Sequence, residues 1–329
     1  MRFLADINTP PMGLGCWAIG GPFFAGDRAV GWGEVDDAVS TRAIHTALDH
    51  GIRFFDTAQA YGTGHSETVL GAALKDRPDV KIATKIGLEI APETRQLVGE
   101  MHDPVAIRAT IAESHKRLQR DHIDLVLLHP NSVPNDVAAP IFDMLDALVA
   151  DGSIGGYGWS TDFPDHFHAF AARPGFVAVE HAMNLFVYGS HMVNAVKGTD
   201  VTALIRSPLA MGILGGKHGK GTTFGKNDVR GGQDDWNDYF ADGRINPDHM
   251  ARLDAVREIL TSDGRSLAQG ALAWLWGRAP NCVPIPGFRT PEQVTDLAGA
   301  RQHGPLSTAH MAEIETLLQR PPEGPPQAR

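Results

Sequence analysis

The chain has 329 residues, of which 43% are apolar and 21% charged, a composition typical of a folded globular protein. Its 29 Lys and Arg against 39 Asp and Glu give a formal net charge of −10, which argues against a general positive field that would hold nucleic acid or an anionic membrane. With 36 Gly and 22 Pro the chain is rich in turns without being of low complexity, which excludes a disordered polymer.

The first residues and the two cysteines limit the cellular compartment and the kind of functional site that we expect. No apolar run approaches the roughly 18 residues of a membrane span, and residues 1–5 lack the basic start and apolar stretch of a signal peptide. Cys16 and Cys282 stand among apolar or small neighbours, so we interpret both as buried residues. His166 and His168 are two apart in a stretch of helical period and point to different faces. We therefore expect a cytoplasmic protein without a metal site.

Eight short apolar runs, each followed by a longer stretch, divide the chain. Continuous apolar runs are typical of strands that are covered on both faces, as in a parallel sheet with crossover helices. The runs are Met12 to Trp17, Arg53 to Phe55, Val80 to Thr84, Ile123 to Leu128, Ile154 to Trp159, Phe176 to Val179, Val201 to Ile205 and Cys282 to Ile285. Eight such units predict an α/β fold, a closed (β/α)₈ TIM barrel that forms one domain over residues 1–319.

Capping residues predict where several helices begin. The expected N-caps are Ser40, Ser66, Asp103, Ser266 and Thr290. The last two are followed three residues later by glutamine, which gives the spacing of a capping box.

Three segments lie outside the barrel units. Gly20 to Ser40 and Met211 to Pro247 are rich in Gly, Asp and Asn, and the second is too long for a passive connection. We predict that it is a functional loop on the cofactor side of the barrel. Residues 320–329 are mostly Pro, Glu, Gln and Gly, and we predict a disordered C-terminal tail.

Polar side chains follow most of the apolar runs. The active site of a parallel α/β barrel is built where strands end and loops begin, so these side chains are expected at one rim. The residues concerned are Asp56, Tyr61, Lys85, His129, Ser160, Glu180, Arg206 and Ser207.

Four of these residues have a coherent chemistry when they meet. A nearby ammonium favours the phenolate form of tyrosine, so Lys85 is expected to lower the pKa of Tyr61. Asp56 would pair with Lys85 and keep it charged, since a lone buried ammonium would lose its proton. His129 could orient and polarise a carbonyl oxygen. The set indicates protonation of a carbonyl oxygen while another group delivers a hydride.

The chain resembles the aldo-keto reductase family in motifs that follow one another in the family's order from about Met12 to Gly299. They are Phe54-Phe55-Asp56-Thr57-Ala58 followed by Tyr61-Gly62, the Lys85 strand, Leu127-Leu128-His129, Ser207-Pro208-Leu209-Ala210-x-Gly212 and Ile285-Pro286-Gly287-Phe288-Arg289. The resemblance implies an NADPH-dependent oxidoreductase that reduces aldehydes or ketones, or catalyses the reverse reaction on a sugar or alcohol. It implies Tyr61 as general acid, a small-molecule carbonyl substrate and no metal.

The resemblance also implies which residues bind the cofactor. Trp17 is expected near the nicotinamide and the substrate, and Gln293 at the adenosine end. Physically, Gly287 lets backbone approach a ligand, free N–H groups at the helix start after Thr290 favour an anion, and Arg289 suits a 2′-phosphate. The implied cofactor contacts are Trp17, Ser160, Thr161, Glu180, Arg206, Ser207, Leu209, Gly212, Gly287, Phe288, Arg289 and Gln293.

Four positions depart from the commonest family pattern. Thr161 and Leu297 stand where Asn is usual, and Glu180 where Gln is usual. Arg206 replaces an aromatic residue that often stacks on the nicotinamide, although its planar guanidinium could stack there too.

Two other functions stay open at this point. Barrel enzymes that form Schiff bases also use a lysine at a strand end, so Lys85 could serve a lyase. Asp56 argues against that reading, because pairing keeps the amine protonated. The resembling family also contains cofactor-binding regulatory subunits with slow turnover, although no partner motif in this sequence supports that role.

Overall fold

The computed structural model describes residues 3–4, 10–232 and 238–327, and its main sheet contains eight parallel strands that pair in chain order. Helices alternate with the strands, so the predicted (β/α)₈ barrel is confirmed. The strands are β1 (Leu14–Gly15), β2 (Phe54–Asp56), β3 (Lys81–Ile86), β4 (Leu125–Leu128), β5 (Tyr157–Ser160), β6 (Phe176–Ala182), β7 (Thr202–Arg206) and β8 (Val283–Pro284). Each falls within or overlaps one of the eight apolar runs.

Backbone hydrogen bonds close the barrel between β1 and the segment that contains β8. Gly13 N–H donates to Pro284 O and Gly15 N–H to Pro286 O, each at 3.0 Å. Both acceptors are prolines, which have no N–H to donate in return. A Cβ on Gly13 would lie 2.4 Å from the Phe54 ring, so this close approach requires glycine.

Ten α-helices occur in the described part of the chain. They are α1 (Asp37–Asp49), α2 (His65–Leu74), α3 (Pro104–Leu118), α4 (Asn135–Ala150), α5 (Pro164–Phe170), α6 (Ser190–Val196), α7 (Pro247–Leu260), α8 (Leu267–Arg278), α9 (Pro291–His303) and α10 (Thr308–Leu318). No helix within the described ranges combines the length and the apolar character that a membrane crossing requires.

Three of the five predicted N-caps are confirmed and two are wrong. Asp103 caps α3, and Ser266 and Thr290 form complete capping boxes on α8 and α9. Helix α1 begins earlier than predicted because the Asp36 carboxylate accepts from two N–H groups of the first turn, which leaves Ser40 inside the helix. Helix α2 follows Gly64 instead of Ser66.

Strand residues alternate between two apolar layers. Phe54 belongs to a small cluster with one or two residues from most strands, which fills the barrel interior. Phe55 points the other way, into the larger core between strands and helices. Cys16 and Cys282 are buried free thiols, as predicted.

Short strands that the sequence did not predict surround the mouth of the barrel. A four-stranded sheet joins a hairpin at Phe24–Ala25 and Arg28–Ala29 to a second hairpin at Leu88–Ala91 and Gln96–Glu100. A further small hairpin pairs Phe240–Ala241 with Arg244–Ile245, and 3₁₀ turns occur at Trp17–Ile19, Pro92–Thr94, Ala210–Gly215, Val229–Gly231 and Ser262–Gly264.

The long loop meets the first insertion across the barrel mouth. Val229 N–H donates to Gly31 O at 2.8 Å. The Arg230 guanidinium lies between two aromatic rings, 4.7 Å from the centroid of Trp32 and 4.1 Å from that of Phe224. We call the two contacting segments, residues 29–34 and 211–232, the roof. Residues 233–237 of the predicted loop lie outside the described residues.

Residues 320–327 contact the barrel without regular secondary structure. The Glu323 carboxylate accepts from the N–H groups of Gly189 at 3.0 Å and Ser190 at 2.8 Å. Arg320 lies over the rings of Tyr188 and Trp274. The disordered tail predicted for residues 320–329 stays a prediction. These contacts hold its first five residues against the barrel.

Candidate active site

A cavity of about 660 Å³ opens at the carboxyl ends of the strands, a size typical of small-molecule sites. It runs from the ends of β2 and β4 past β7 to the start of α9. Most of the candidate site residues line it: Trp17, Asp56, Tyr61, His129, Ser160, Glu180, Arg206, Ser207, Leu209, Gly212, Gly287, Phe288, Arg289 and Gln293. The structure therefore brings these residues to one site, as expected for strand ends of a parallel barrel.

Lys85 lies behind the cavity wall at the end of β3, and its side chain has no exposed surface. Its ammonium contacts the Asp56 carboxylate and donates to Thr57 O and to the Tyr61 hydroxyl, both at 3.2 Å. Burial alone would lower the pKa of Lys85, but Asp56 and Glu180 outweigh it and raise that pKa above its ordinary value. The amine is therefore a charged donor aimed at Tyr61.

Tyr61 stands between the lysine and the cavity. Its ring stacks on Trp17 with centroids 6.0 Å apart and meets the His129 ring edge to face at 5.7 Å. The expectation of a lowered pKa is wrong for this structure. Burial raises the pKa of Tyr61 above its ordinary value, and the lowering effect of Lys85 does not offset it. The phenol therefore holds its proton.

His129 follows β4 and faces the cavity as a neutral ring. Burial, together with the positive charges of Lys85 and Arg206, lowers its pKa well below the ordinary range. A neutral imidazole can donate one hydrogen bond and accept another.

Glu180, at the end of β6, is 1% exposed and shares Lys85 with Asp56. Its Oε2 lies 3.3 Å from Lys85 Nζ, and Oε1 accepts from the Ser160 hydroxyl at 3.2 Å. Burial, and after it the neighbouring Glu180, raises the pKa of Asp56 well above its ordinary value, and the lowering effect of Lys85 does not offset this. We call Asp56, Lys85 and Glu180 the lysine cluster. It contains two carboxylates for one ammonium.

Arg206 is fixed by a carboxylate that the sequence analysis missed. Asp162 binds its guanidinium and also accepts from Ala182 N–H at 2.8 Å and from the Asn131 amide at 3.0 Å. Arg206 thus enters the cavity wall as half of an ion pair. The two residues are 44 positions apart, so only the fold reveals the pair.

Thr161 is the one expected cofactor contact that the structure turns away from the cavity. It is completely buried, and its hydroxyl donates to Asn131 O at 2.7 Å and accepts from Phe163 N–H at 3.2 Å. These bonds hold the loop after β5 and leave the hydroxyl unable to reach a ligand.

The start of α9 is more fully bonded than expected. The Gln293 side-chain oxygen accepts from the N–H groups of Arg289 at 2.8 Å and Thr290 at 3.3 Å, so these groups are not free. The Arg289 guanidinium donates to the backbone oxygens of Trp32 at 3.2 Å and of Glu34. Arg289 therefore lies at the junction of cavity, helix and roof.

Comparison with known proteins fits this geometry. The model of the Aldo/keto reductase family matches residues 11–319. The chain belongs to the aldo/keto reductase family. It is accordingly an NAD(P)H-dependent oxidoreductase of carbonyl compounds and alcohols.

Individual relatives of this aldo/keto reductase cover nearly its whole length. The aldo-keto reductase YhdN of Bacillus subtilis is 30% identical over 95% of this chain and 91% of its own. An NADH-specific methylglyoxal reductase of Escherichia coli is 26% identical over 90% of both chains. Among solved structures, a glycerol dehydrogenase of Gluconobacter oxydans superimposes over 100% of both chains with a TM-score of 0.78 and 28% identity.

Further residues of this aldo/keto reductase line the cavity although the sequence analysis did not select them. Trp32 and Leu88 are apolar walls, Asn131 is a polar one, and Lys217 and Arg230 are cations from the roof. Lys217 could have been found from the sequence, because it follows Gly215 and Gly216 in a loop that was already predicted to be functional. Asn131 could have been found too, because it follows His129 by two residues after the end of β4. Trp32, Leu88 and Arg230 belong to segments outside the barrel units.

Proposed function

We propose that this chain is an NADPH-dependent carbonyl reductase in which Tyr61 is the general acid. The observation that carries the proposal is the 3.2 Å contact from the buried Lys85 ammonium to the Tyr61 hydroxyl at the wall of the cavity. A positively charged donor there stabilises the phenolate that remains after proton transfer. Asp56 keeps the ammonium charged and in place.

Each residue then has a definite task in the reduction. When bound, the reduced nicotinamide supplies a hydride to the carbonyl carbon. Tyr61 donates its proton to the carbonyl oxygen, and the neutral His129 donates a hydrogen bond to the same oxygen and orients it. Trp17, stacked on Tyr61, excludes water from this side of the reacting carbonyl.

The cavity offers groups that fit a dinucleotide along its length. Ser207, Met211 and Gly212 form a tight turn with positive φ angles of 53°, 51° and 95°, which brings backbone close to a ligand. Lys217 supplies a cation for a pyrophosphate nearby. At the far end, a Cβ built on Gly287 would meet nothing closer than Gly15 O at 3.9 Å, so this backbone leaves open space for a ligand.

Arg289 supports a preference for NADPH over NADH. It lines the adenosine end of the proposed cofactor site, where a guanidinium can bind a 2′-phosphate through two parallel N–H groups. The NADH-specific relative shows that a preference for NADPH cannot be taken from similarity alone. The charge of Arg289 is what favours the phosphorylated cofactor in this chain.

Lys85 does not support a Schiff-base mechanism. Nucleophilic attack needs an unprotonated amine that can reach the substrate. The Lys85 amine is buried, charged and bonded to Asp56, Thr57 and Tyr61, so it meets neither condition.

A spectrophotometric screen tests the function. Aldehydes, ketones, sugars and pyridoxal, with methylglyoxal included, are each offered with NADPH and with NADH, and oxidation of the cofactor is followed. Glycerol and other alcohols are offered with the oxidised cofactors. We expect turnover that requires Tyr61 and persists in Tyr188→Phe, a matched tyrosine substitution at the packing site of Arg278 and Arg320. Turnover that survives in Tyr61→Phe would contradict the assignment of the acid.

A further inference from the structure

Glu180 is a buried charge that the mechanism above does not use. Its carboxylate reaches the lysine cluster from β6, opposite Asp56 on β2, and Lys85 is the only cation that pairs with it among the described residues. A carboxylate is costly to bury, and an amide would fill the same space without that cost. The retained charge therefore calls for a role.

We propose that Glu180 is a positioning residue of this active site, a second counter-ion of Lys85 that keeps the Tyr61 hydroxyl protonated. The proposal rests on the assignment of Tyr61 as the general acid. Its geometric basis is that one atom lies close to both groups: Lys85 Nζ is 3.3 Å from Glu180 Oε2 and 3.2 Å from the Tyr61 hydroxyl. The carboxylate and phenol oxygens are thus no farther apart than the sum of these distances.

Charges from every neighbouring element act on the Tyr61 hydroxyl. Those in the lysine cluster are one ammonium and two carboxylates, and both carboxylates disfavour a phenolate. His129 is neutral, the buried Cys16 thiol has a raised pKa and is neutral too, and Arg206 is paired with Asp162. The carboxylate of Glu180 therefore acts against a background in which the other charges are paired, the Asp56–Lys85 pair being neutral as a unit.

The size of the effect follows from Coulomb's law. Two unit charges about 6 Å apart, at an effective dielectric between 20 and 80, shift a titration by roughly 0.5 to 2 pH units. The negative charge of Glu180 opposes loss of the phenol proton, so the shift is upward. The charge of Glu180 therefore extends to higher pH the range in which Tyr61 is protonated and can act as an acid. It also raises the pH above which Tyr61 can act as a base. The native carboxylate thus favours reduction over oxidation at alkaline pH.

Measured pH profiles test this role. The ratio kcat/KM for one aldehyde and for its alcohol is followed against pH at saturating cofactor, in the native enzyme, Glu180→Gln and Glu180→Asp. We expect two limbs to move to lower pH by roughly 0.5 to 2 units in Glu180→Gln: the falling limb of the reduction, which needs the phenol, and the rising limb of the oxidation, which needs the phenolate. The reason is that this variant keeps the shape of the side chain and loses its charge. In Glu180→Asp, which keeps the charge, the limbs are expected to stay closer to their native positions.

Other outcomes separate the two proposals. If Tyr61→Phe is inactive and Glu180→Gln leaves both limbs in place, the assignment of Tyr61 as the acid is kept and the role of Glu180 is overturned. Compensation for the lost Glu180 charge by Asp56 would give the same result and would overturn the role as well. If Tyr61→Phe remains active, the proposed acid itself is wrong. A phenolate ultraviolet titration, native minus Tyr61→Phe, gives the same comparison without turnover, and an unmoved Tyr61 transition in Glu180→Gln also overturns the role. Glu67→Gln, which removes a buried carboxylate paired with Arg117, should leave the limbs unmoved.

Discussion

The cavity has two walls built on different principles. The lysine cluster stands on strand ends and Tyr61 in the turn that follows β2. Lys85 is held there by contacts to Asp56, Thr57, Tyr61 and Glu180. The roof consists of loop segments joined by one backbone hydrogen bond between Val229 and Gly31 and by the stacking of Arg230 on Trp32. The groups that the proposed proton transfer requires at fixed positions are on the rigid scaffold, while the segments that we expect to open for a dinucleotide are on loops.

Substitution of Tyr61 should produce the largest effect on the rigid wall. Tyr61→Phe removes the transferable proton and leaves the ring that stacks on Trp17, so kcat should fall by about 10² to 10⁴ with little change in the dissociation constant for NADPH. Steady-state kinetics and fluorescence titration measure the two quantities. A variant that keeps more than roughly a tenth of the native kcat would show that another group supplies the proton.

Arg289 contacts the roof and lines the cavity, and its loss should affect the binding of NADPH and of NADH to different extents. Arg289→Ala removes a charge-assisted contact worth roughly 1.5 to 3 kcal/mol, so NADPH affinity should fall by about 10- to 150-fold while NADH affinity barely changes. Isothermal titration with each cofactor makes the comparison. Equal losses for both would mean that Arg289 acts only through its bonds to Trp32 and Glu34.

The roof should respond to the cofactor where the rigid wall does not. Lys220 and Lys226 are exposed in the long loop and are expected sites for trypsin. If the loop must open for both cleavage and cofactor release, cleavage should slow about tenfold at a free NADPH concentration ten times the dissociation constant. Arg230→Ala, which removes the stacking on Trp32, should be cut faster without cofactor. Equal cleavage rates with and without NADPH would mean that the loop does not close over it.

The smallest expected effect concerns the charge of the oxidised nicotinamide. An ionised Glu180 lines the cavity and should attract the cationic oxidised ring more than the neutral reduced one. On a Coulomb estimate at about 6 Å, Glu180→Gln should weaken NADP⁺ binding relative to NADPH binding by about threefold or more. Dissociation constants of both forms at pH 7 measure the ratio. An unchanged ratio would remove the charge argument, whatever the pH profiles show.

Local patterns predicted the barrel, because a strand that is covered on both faces must be apolar throughout. The elements that escaped prediction depend on distant partners. The 88–100 hairpin is exposed on much of its surface and is held through pairing of Phe24 with Gln96, 72 positions apart. The start of α1 was misplaced for a different reason. Asp36, four positions before the predicted Ser40, also has a side chain that can cap a helix, and it is the residue that does so.

The sequence predicted that the proposed catalytic groups lie close together, but it did not predict the balance of charges among them. Strand ends predicted that Asp56, Tyr61 and Lys85 would share a rim, and the resemblance implied their roles. That Glu180 reaches Lys85 depends on side-chain length across the barrel interior, which a linear pattern does not encode. The net effect on the Tyr61 pKa was likewise mispredicted, because burial, which raises it, is a property of the packed site.

The barrel seam gives the molecule a place where it opens most easily. Pro284 and Pro286 accept from Gly13 and Gly15 and have no N–H to donate in return, so fewer backbone hydrogen bonds are possible at this seam than between strands without proline. Local opening in a folded protein begins where few bonds must break, which makes the amides of Gly13 and Gly15 fast exchangers for strand residues. The same β8 continues into Gly287 and Arg289, at the proposed cofactor site. A bound dinucleotide should then stabilise the junction of β1 and β8, and it should slow deuterium uptake at the amides of Gly13 and Gly15.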